Sequence, residues 1–128
     1  MPVLLDTHAF LWWLAGDPRL SPRVRDAILA RDRPVVVSAA TAWEIATKHR
    51  LGKLAGVAHI VGDLGAAVRS QGFLDLPITL ADAALAGSLP GAHGDPFDRM
   101  LIAQALARGW DLASNEALFD AFGVRRLW

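Results

Sequence analysis

The sequence predicts an α/β fold, in which helices cover both faces of a central, mostly parallel sheet of about four to five strands. Two features of the 128-residue chain lead to this prediction. Short apolar runs, typical of buried strands, alternate with longer segments in which apolar residues recur at helical spacing. The length is that of one ordinary domain, and we expect a single three-layer α/β/α domain over residues 1–128.

The predicted elements follow each other in a regular order. Strands are predicted at 3–5, 35–38, 73–76, 111–114 and 124–128. Helices are predicted at 7–15, 22–31, 39–50, 57–70, 79–86, 96–108 and 116–121. Ser21 and Asp95 each stand before a proline, as a capping residue does before the first helical position, and Gly109 is a typical helix end. Gly62 and Gly65 lie inside the 57–70 helix, where glycine is unfavourable.

Composition excludes several classes of protein. The 13 basic and 13 acidic residues give a formal net charge of zero, which argues against a polybasic nucleic-acid binder. The absence of cysteine excludes disulfides, thiol catalysis and cysteine-based zinc sites. The first residues lack a basic region and reach Asp6 after five positions, unlike a signal peptide. No apolar run approaches the roughly 20 residues that cross a bilayer, so we expect a cytoplasmic protein that does not act at a membrane.

Acidic side chains follow the predicted strands or open the helices after them. They are Asp6, Glu44, Asp95, Asp98 and Glu116. Because ligands of parallel sheets bind at the carboxyl ends of the strands, we expect these acids to lie at one edge of the sheet. Two carboxylates 4 Å apart repel each other by about 4 kcal/mol at an effective dielectric constant of 20. A hard divalent cation, Mg²⁺ or Mn²⁺, relieves such repulsion, so the pattern favours a metal site.

Each acid also has a purely structural explanation. Asp6 can cap the following helix, and Asp95 before Pro96 has the pattern of a helix cap. Asp98, in the first turn, suits the helix dipole and can also face the crevice. Glu44 has a lysine four residues on, the spacing of a surface ion pair. Glu116 needs no function in a first helical turn, so the metal site depends on the acids taken as a set.

Four segments of the chain resemble PIN-domain proteins, specifically the VapC-type toxin ribonucleases. They are 4–14 (LLDTHAFLWWL), 38–54 (SAATAWEIATKHRLGKL), 95–105 (DPFDRMLIAQA) and 123–128 (GVRRLW). The likeness extends in order over nearly the whole chain. It implies a PIN-like fold and a Mg²⁺- or Mn²⁺-dependent endoribonuclease. It also implies a small VapB-type antitoxin as partner and a homodimer, or a higher-order complex with the antitoxin.

The resemblance also implies a set of site residues. The metal ligands correspond to Asp6, Glu44 and Asp98, and a fourth catalytic acid corresponds to Glu116, where the family usually has aspartate. Asn115 takes that place if the register shifts by one residue. Asp82 stands where relatives often have histidine, and we assign it no role.

Neighbouring residues can support this site. Thr7 and Ser114 can orient carboxylates or waters, as residues behind metal ligands do. Arg99 either touches a phosphate or is simply an exposed helical arginine. The basic residues that follow Glu44 either line an RNA path or form an exposed helix end with favourable dipole charge; they are Lys48, Arg50 and Lys53.

The remaining chemistry-bearing residues are assigned to structure. Trp13 and Trp43 are predicted in the core, whereas Trp12 or Trp128 is predicted at a dimer or antitoxin surface. The four histidines, His8, His49, His59 and His93, show no metal-like pairing with one another.

Two other functions compete with the metal-dependent ribonuclease. A catalytically weak PIN-like module that binds RNA or protein is favoured by glutamate at position 116. A phosphatase or receiver domain is disfavoured, because His8 stands where a phosphatase needs a second aspartate. A receiver domain needs a lysine in its site, and neither Lys48 nor Lys53 follows a predicted strand.

Overall fold

The computed structural model describes residues 1–128 and contains five strands and seven α-helices. The strands are β1 (Val3–Leu5), β2 (Val35–Ser38), β3 (Leu74–Leu76), β4 (Asp111–Ala113) and β5 (Arg125–Leu127). The helices are α1 (Thr7–Ala15), α2 (Pro22–Ala30), α3 (Ala39–Arg50), α4 (Ala58–Val61), α5 (Leu64–Ser70), α6 (Leu80–Ser88) and α7 (Pro96–Arg108). A 3-10 helix spans Ala117–Phe122 before β5. None of the helices combines the length and apolar character that crossing a membrane requires.

The five strands form one sheet in the order β3-β2-β1-β4-β5, and every neighbouring pair is parallel. The prediction of an α/β fold is confirmed, and the sheet is wholly rather than mostly parallel. The central strand β1 pairs with β2 on one side and β4 on the other, with Val3 opposite both Val35 and Asp111. The chain leaves β1 and β4 toward opposite sides of the sheet, so the crevice of this topology lies at their carboxyl ends.

Both faces of the sheet are buried, as the apolar runs of its strands require. Along β1, Val3 and Leu5 enter one core together with Phe10, whereas Leu4 enters the other core. Helices α1, α2, α4 and α5 cover the first face, and α6, α7 and the 3-10 helix cover the second. The predicted three-layer arrangement is therefore confirmed.

The structure departs from the predicted elements in four main places. The predicted 57–70 helix is two helices, because α4 ends at Val61 and Asp63 caps a new helix by accepting the Ala66 N–H at 2.9 Å. Helix α6 continues to Ser88, two residues beyond the predicted end, while the predicted 116–121 helix is a 3-10 helix. Phe73 lies just before β3, where its ring packs against Phe10.

Candidate active site

Asp6 lies directly after β1, at the carboxyl edge of the sheet. Its Oδ1 caps α1 by accepting the Ala9 N–H at 2.8 Å, and the residue is only 4% exposed. Burial raises the pKa of Asp6 to about 6, although the Ala9 N–H, the Ser114 hydroxyl and the nearby His8 act in the opposite direction. The charge of Asp98 raises this pKa further. Asp6 is thus both a helix cap and a buried carboxylate whose charge its surroundings compensate only in part.

Glu44 enters the same region from α3 and is 3% exposed. Thr7, the first residue of α1, donates its hydroxyl to Glu44 Oε1 at 2.5 Å, and the Thr41 hydroxyl lies 3.1 Å from that of Thr7. Lys48, one turn later on α3, donates to Glu44 Oε2. Thr7 therefore orients the Glu44 carboxylate, in agreement with the hypothesis that Thr7 supports a site acid. Both carboxylate oxygens of the buried Glu44 accept hydrogen bonds.

Asp98 and Asp95 lie at the start of α7. Asp95 is the cap, since its Oδ1 accepts the N–H groups of Phe97 at 2.9 Å and of Asp98 at 3.1 Å. The Asp98 side chain is 23% exposed, and its Oδ2 lies 2.8 Å from His93 Nε2. Partial burial raises the pKa of Asp98, the His93 hydrogen bond lowers it, and the charges of Asp95 and Glu44 raise it. Asp98 is consequently the acid that couples to the others.

The acids form one electrostatic unit around a single lysine. Asp98 feels the charge of Glu44, Asp6 feels that of Asp98, and Lys48 feels Glu44, Asp95 and Asp98. Partial burial opposes the charge of Lys48, but its hydrogen bond to Glu44 and these carboxylates raise its pKa. Lys48 is therefore a counterion inside the acidic region. The ion pair predicted from the i,i+4 spacing of Glu44 and Lys48 is confirmed, and the Lys48 side chain is 33% exposed.

The donor set fits a metal with few protein ligands. No three His, Asp or Glu side chains converge closely enough to form a closed cage. However, the cap engages Asp6 through Oδ1, and His93 engages Asp98 through Oδ2, so each acid has a second carboxylate oxygen for a cation. Mg²⁺ typically takes one or two protein carboxylates and completes its coordination with water and phosphate. Both carboxylate oxygens of Glu44 already have hydrogen-bond partners, so that Glu44 is suited to contact a cation through a water molecule rather than directly.

The fourth predicted acid, Glu116, is exposed. Glu116 and Asn115 are exposed, and the Glu116 side chain forms no hydrogen bond or ion pair. The charge of Glu116 is not among the main influences on the pKa of Asp6 or Asp98. Ser114 is fully buried, and its hydroxyl accepts the Glu116 N–H at 3.0 Å. The structure therefore brings Ser114 to Asp6, and Asn115 and Glu116 follow it in the chain with exposed side chains, so that their part in the site stays a prediction.

Arg99 is partly buried and bound to the main chain, so it is not the free, exposed helical arginine that was one of the two alternatives. Its guanidinium donates to three main-chain carbonyls, those of Ala86 at 3.0 Å, His93 at 2.9 Å and Leu89. These bonds tie the loop that connects α6 and α7 to the first turn of α7. Arg99 is thus a positioning residue, since it fixes the main chain of the histidine that contacts Asp98.

Two further basic residues keep their predicted exposure. Arg50 and Lys53 are exposed at and beyond the end of α3, and neither forms an ion pair. Trp43 corrects a prediction, because it is 54% exposed rather than part of the core. Trp13 is partly buried and donates its Nε1–H to Gln71 Oε1 at 3.0 Å.

His93 is the site residue that the sequence prediction missed. It lies in a loop without helical or strand spacing, so no periodic pattern relates it to Asp98, and a search for paired histidines overlooks it.

Asp82, to which the sequence assigns no role, anchors α6 to α7. It joins the Thr79 capping box and pairs with Arg108 at 2.9 Å, and this ion pair is the main reason that its pKa falls to about 2.

Comparison with known proteins places this chain in a family. The model of the PIN domain matches residues 3–124. Ribonuclease VapC22 of Mycobacterium tuberculosis is 35% identical over 118 residues, which cover 89% of this chain and 86% of that protein.

Solved structures of similar fold include the following two. VapBC2 from Rickettsia felis, bound to a DNA fragment from its promoter, has a TM-score of 0.68 at 13% identity and 100% coverage of both chains. The Mycobacterium tuberculosis VapC20, a sarcin–ricin-loop-cleaving toxin, has a TM-score of 0.67 at 16% identity and 95% coverage of both chains. The family model and the relative of 35% identity show that the chain belongs to the PIN-domain family, among its VapC-type members.

Proposed function

We propose that this protein is a metal-dependent endoribonuclease that acts as the toxin of a toxin–antitoxin pair. One observation carries the proposal: Asp6, Glu44 and Asp98 are electrostatically coupled at the carboxyl edge of a parallel sheet, where this topology binds ligands. The similarity to a protein named a ribonuclease supports RNA as the substrate.

The proposed chemistry divides between the chain and a cation. Mg²⁺ or Mn²⁺, when bound, activates water and offsets charge on the phosphate. Asp6 and Asp98 hold the cation, and His93 fixes the orientation of Asp98 through its Oδ2. The Thr7 hydroxyl, which is itself hydrogen-bonded to the Thr41 hydroxyl, fixes Glu44, and Glu44 completes the site. Arg50 and Lys53 supply exposed cations for the RNA backbone.

The proposal includes partners and location. We propose a small VapB-type antitoxin as the neutralising partner and a homodimer as the unit that it binds, in the cytoplasm. Among the structures with this fold are VapBC assemblies, which supports the choice of partner. Co-expression with the antitoxin from a neighbouring reading frame should yield a stable complex, and a toxin that purifies alone beside that antitoxin contradicts this part.

Cleavage of a labelled RNA pool by the purified protein tests the activity. We expect cleavage with Mg²⁺ or Mn²⁺, loss of cleavage with a chelator, and loss in Asp6→Asn and Asp98→Asn. Asp63→Asn is the matched control, because Asp63 is also a helix-capping aspartate but is exposed before α5. Cleavage that survives in both site variants refutes the proposed site.

A second candidate function is a PIN-like module that binds RNA or protein without cleaving RNA. The observation that favours it is the exposed Glu116 side chain, which forms no hydrogen bond or ion pair. RNA binding by wild-type protein, with no cleavage by either metal, would establish this module instead.

A further inference from the structure

An aromatic pair adjoins the candidate active site. Trp43 immediately precedes Glu44 on α3, and Phe97 immediately precedes Asp98 on α7. The two rings meet edge to face, with centroids 4.7 Å apart and an interplanar angle of 76°. The pair therefore connects the two helices that bring Glu44 and Asp98 to the site.

The exposure of Trp43 is contrary to the usual arrangement of a helix. Helix α3 buries Thr41, Glu44 and Ile45, so a carboxylate faces inward while the indole, at 54% exposure, faces solvent. Tryptophan is on average among the more buried residues, and a local exception to the hydrophobic pattern is expected at functional positions. Folding of the domain alone does not explain a large exposed aromatic ring beside the site.

Exposed positive charge continues along the same helix. Trp43, Thr47 and Arg50 are spaced at i, i+4 and i+7, so they share one face of α3. Arg50 is exposed and lies about 10 Å along the helix axis from Trp43. Lys53 extends the positive charge beyond the helix end. An aromatic ring followed by cations matches a single-stranded nucleic acid, whose bases stack while its phosphates contact cations.

We propose that Trp43, supported at its edge by Phe97, stacks on an unpaired base of the RNA substrate next to the phosphate that is cleaved. This inference rests on the proposed ribonuclease function and names the form of RNA that the same site takes. It requires single-stranded RNA, because a base inside a duplex has no free face. Stacking of this kind is tolerant of base identity, so Trp43 contributes affinity and register more than sequence preference.

The test separates RNA binding from RNA cleavage. Binding is measured with short, unstructured RNA oligonucleotides in the Asp6→Asn background, which retains the helix cap but removes a proposed metal ligand. In that background we expect Trp43→Leu to weaken binding on the order of 10-fold, and Trp43→Phe to retain most of the affinity. Leu29→Ala is the control, because Leu29 is 60% exposed on α2, away from the acidic unit.

A second measurement identifies the stacked base. Oligonucleotides that carry one abasic position at a time are bound in turn to the protein that retains Trp43 and to the Trp43→Leu variant. At one position near the cleaved phosphate, we expect the abasic change to weaken binding to the protein with Trp43 and to have little further effect on Trp43→Leu. An equal effect of every abasic position on both proteins overturns the proposal.

The outcomes distinguish this proposal from the function on which it rests. If RNA is cleaved at the metal site but Trp43→Leu binds RNA as Leu29→Ala does, the stacking role fails and the ribonuclease stands. If no RNA is cleaved by any protein, the proposed function fails, whereas the binding experiment still decides whether Trp43 contacts RNA. Dissociation of a dimer by Trp43→Leu, with unchanged RNA affinity, assigns the ring to a protein interface and overturns the proposal.

Discussion

Replacing Asp6 by asparagine should stabilise the metal-free protein at neutral and alkaline pH. Asparagine retains the oxygen that caps α1 through the Ala9 N–H, and it lacks the buried charge. The pKa of Asp6 is raised from 3.8 to about 6 in the folded protein, mainly by burial. A carboxylate that binds its proton more tightly in the folded state makes folding less favourable once the pH exceeds its unfolded pKa.

The expected size and pH range follow from that pKa. The free energy of unfolding of the wild-type protein falls as the pH rises from about 4 through about 6, and the contribution of Asp6 is then constant. The shift corresponds to about 3 kcal/mol at most, or about 10 °C in melting temperature for a chain of this size. At pH 4 the wild-type and Asp6→Asn proteins should differ little, because Asp6 is protonated in the folded state.

Thermal unfolding in the presence of a chelator, at several pH values between 4 and 8, measures this effect. Asp63→Asn is the matched control, since the same change at an exposed helix cap should alter the melting temperature little. A melting temperature of Asp6→Asn at or below that of the wild type at pH 8 contradicts the reasoning. An offset that does not vary with pH also contradicts it, because the mechanism is the titration of Asp6.

Three further predictions concern neighbouring groups. Asp82→Asn should lower the free energy of unfolding by about 1–2 kcal/mol near neutral pH, because Arg108 lowers the pKa of Asp82 to about 2 in the folded protein. In denaturant titrations, the difference between Asp82→Asn and the wild type should disappear as the pH falls from about 4 to 2. His93→Ala should weaken Mn²⁺ binding about 10-fold in calorimetry, and His93→Gln should weaken it less; equal affinity in His93→Ala and wild type refutes a positioning role. Lys48→Met should destabilise the metal-free protein by about 1–3 kcal/mol, because Glu44 loses its cation, and added Mn²⁺ should reduce the deficit; a loss unaffected by Mn²⁺ assigns Lys48 to packing alone.

The fold could be predicted because local and global signals agree in this chain. The buried strands β1 and β2 are continuous apolar runs, and α7 has a capping Asp95, a proline at its first position and Gly109 at its end. The error at 57–70 has a local cause, since Asp63 offers a cap that competes with one continuous helix. The hydrophobic pattern does not reveal that competition, because one continuous helix and two shorter helices place the same apolar residues toward the core.

The candidate site could be predicted only where position in the topology decides it. Asp6 and Asp98 could be predicted as site residues because one follows a strand and the other opens a helix. Their charges interact in the structure, as expected for two residues at the same edge of the sheet. His93 could not be predicted, because loop conformation and the three carbonyl bonds of Arg99 bring it to Asp98. The spacing of Glu44 and Lys48 predicts an ion pair on the surface of a helix. Tertiary packing, which the spacing does not reveal, brings this pair close to Asp95 and Asp98.

The central claim is that Asp6 and Asp98 hold one divalent cation together. Titration of Mn²⁺ into the protein, followed by calorimetry and by the electron paramagnetic resonance of free Mn²⁺, tests it directly without any RNA. We predict saturable binding by the wild type and by Asp63→Asn, and its loss in both Asp6→Asn and Asp98→Asn. Undiminished Mn²⁺ binding in Asp6→Asn and Asp98→Asn contradicts the claim.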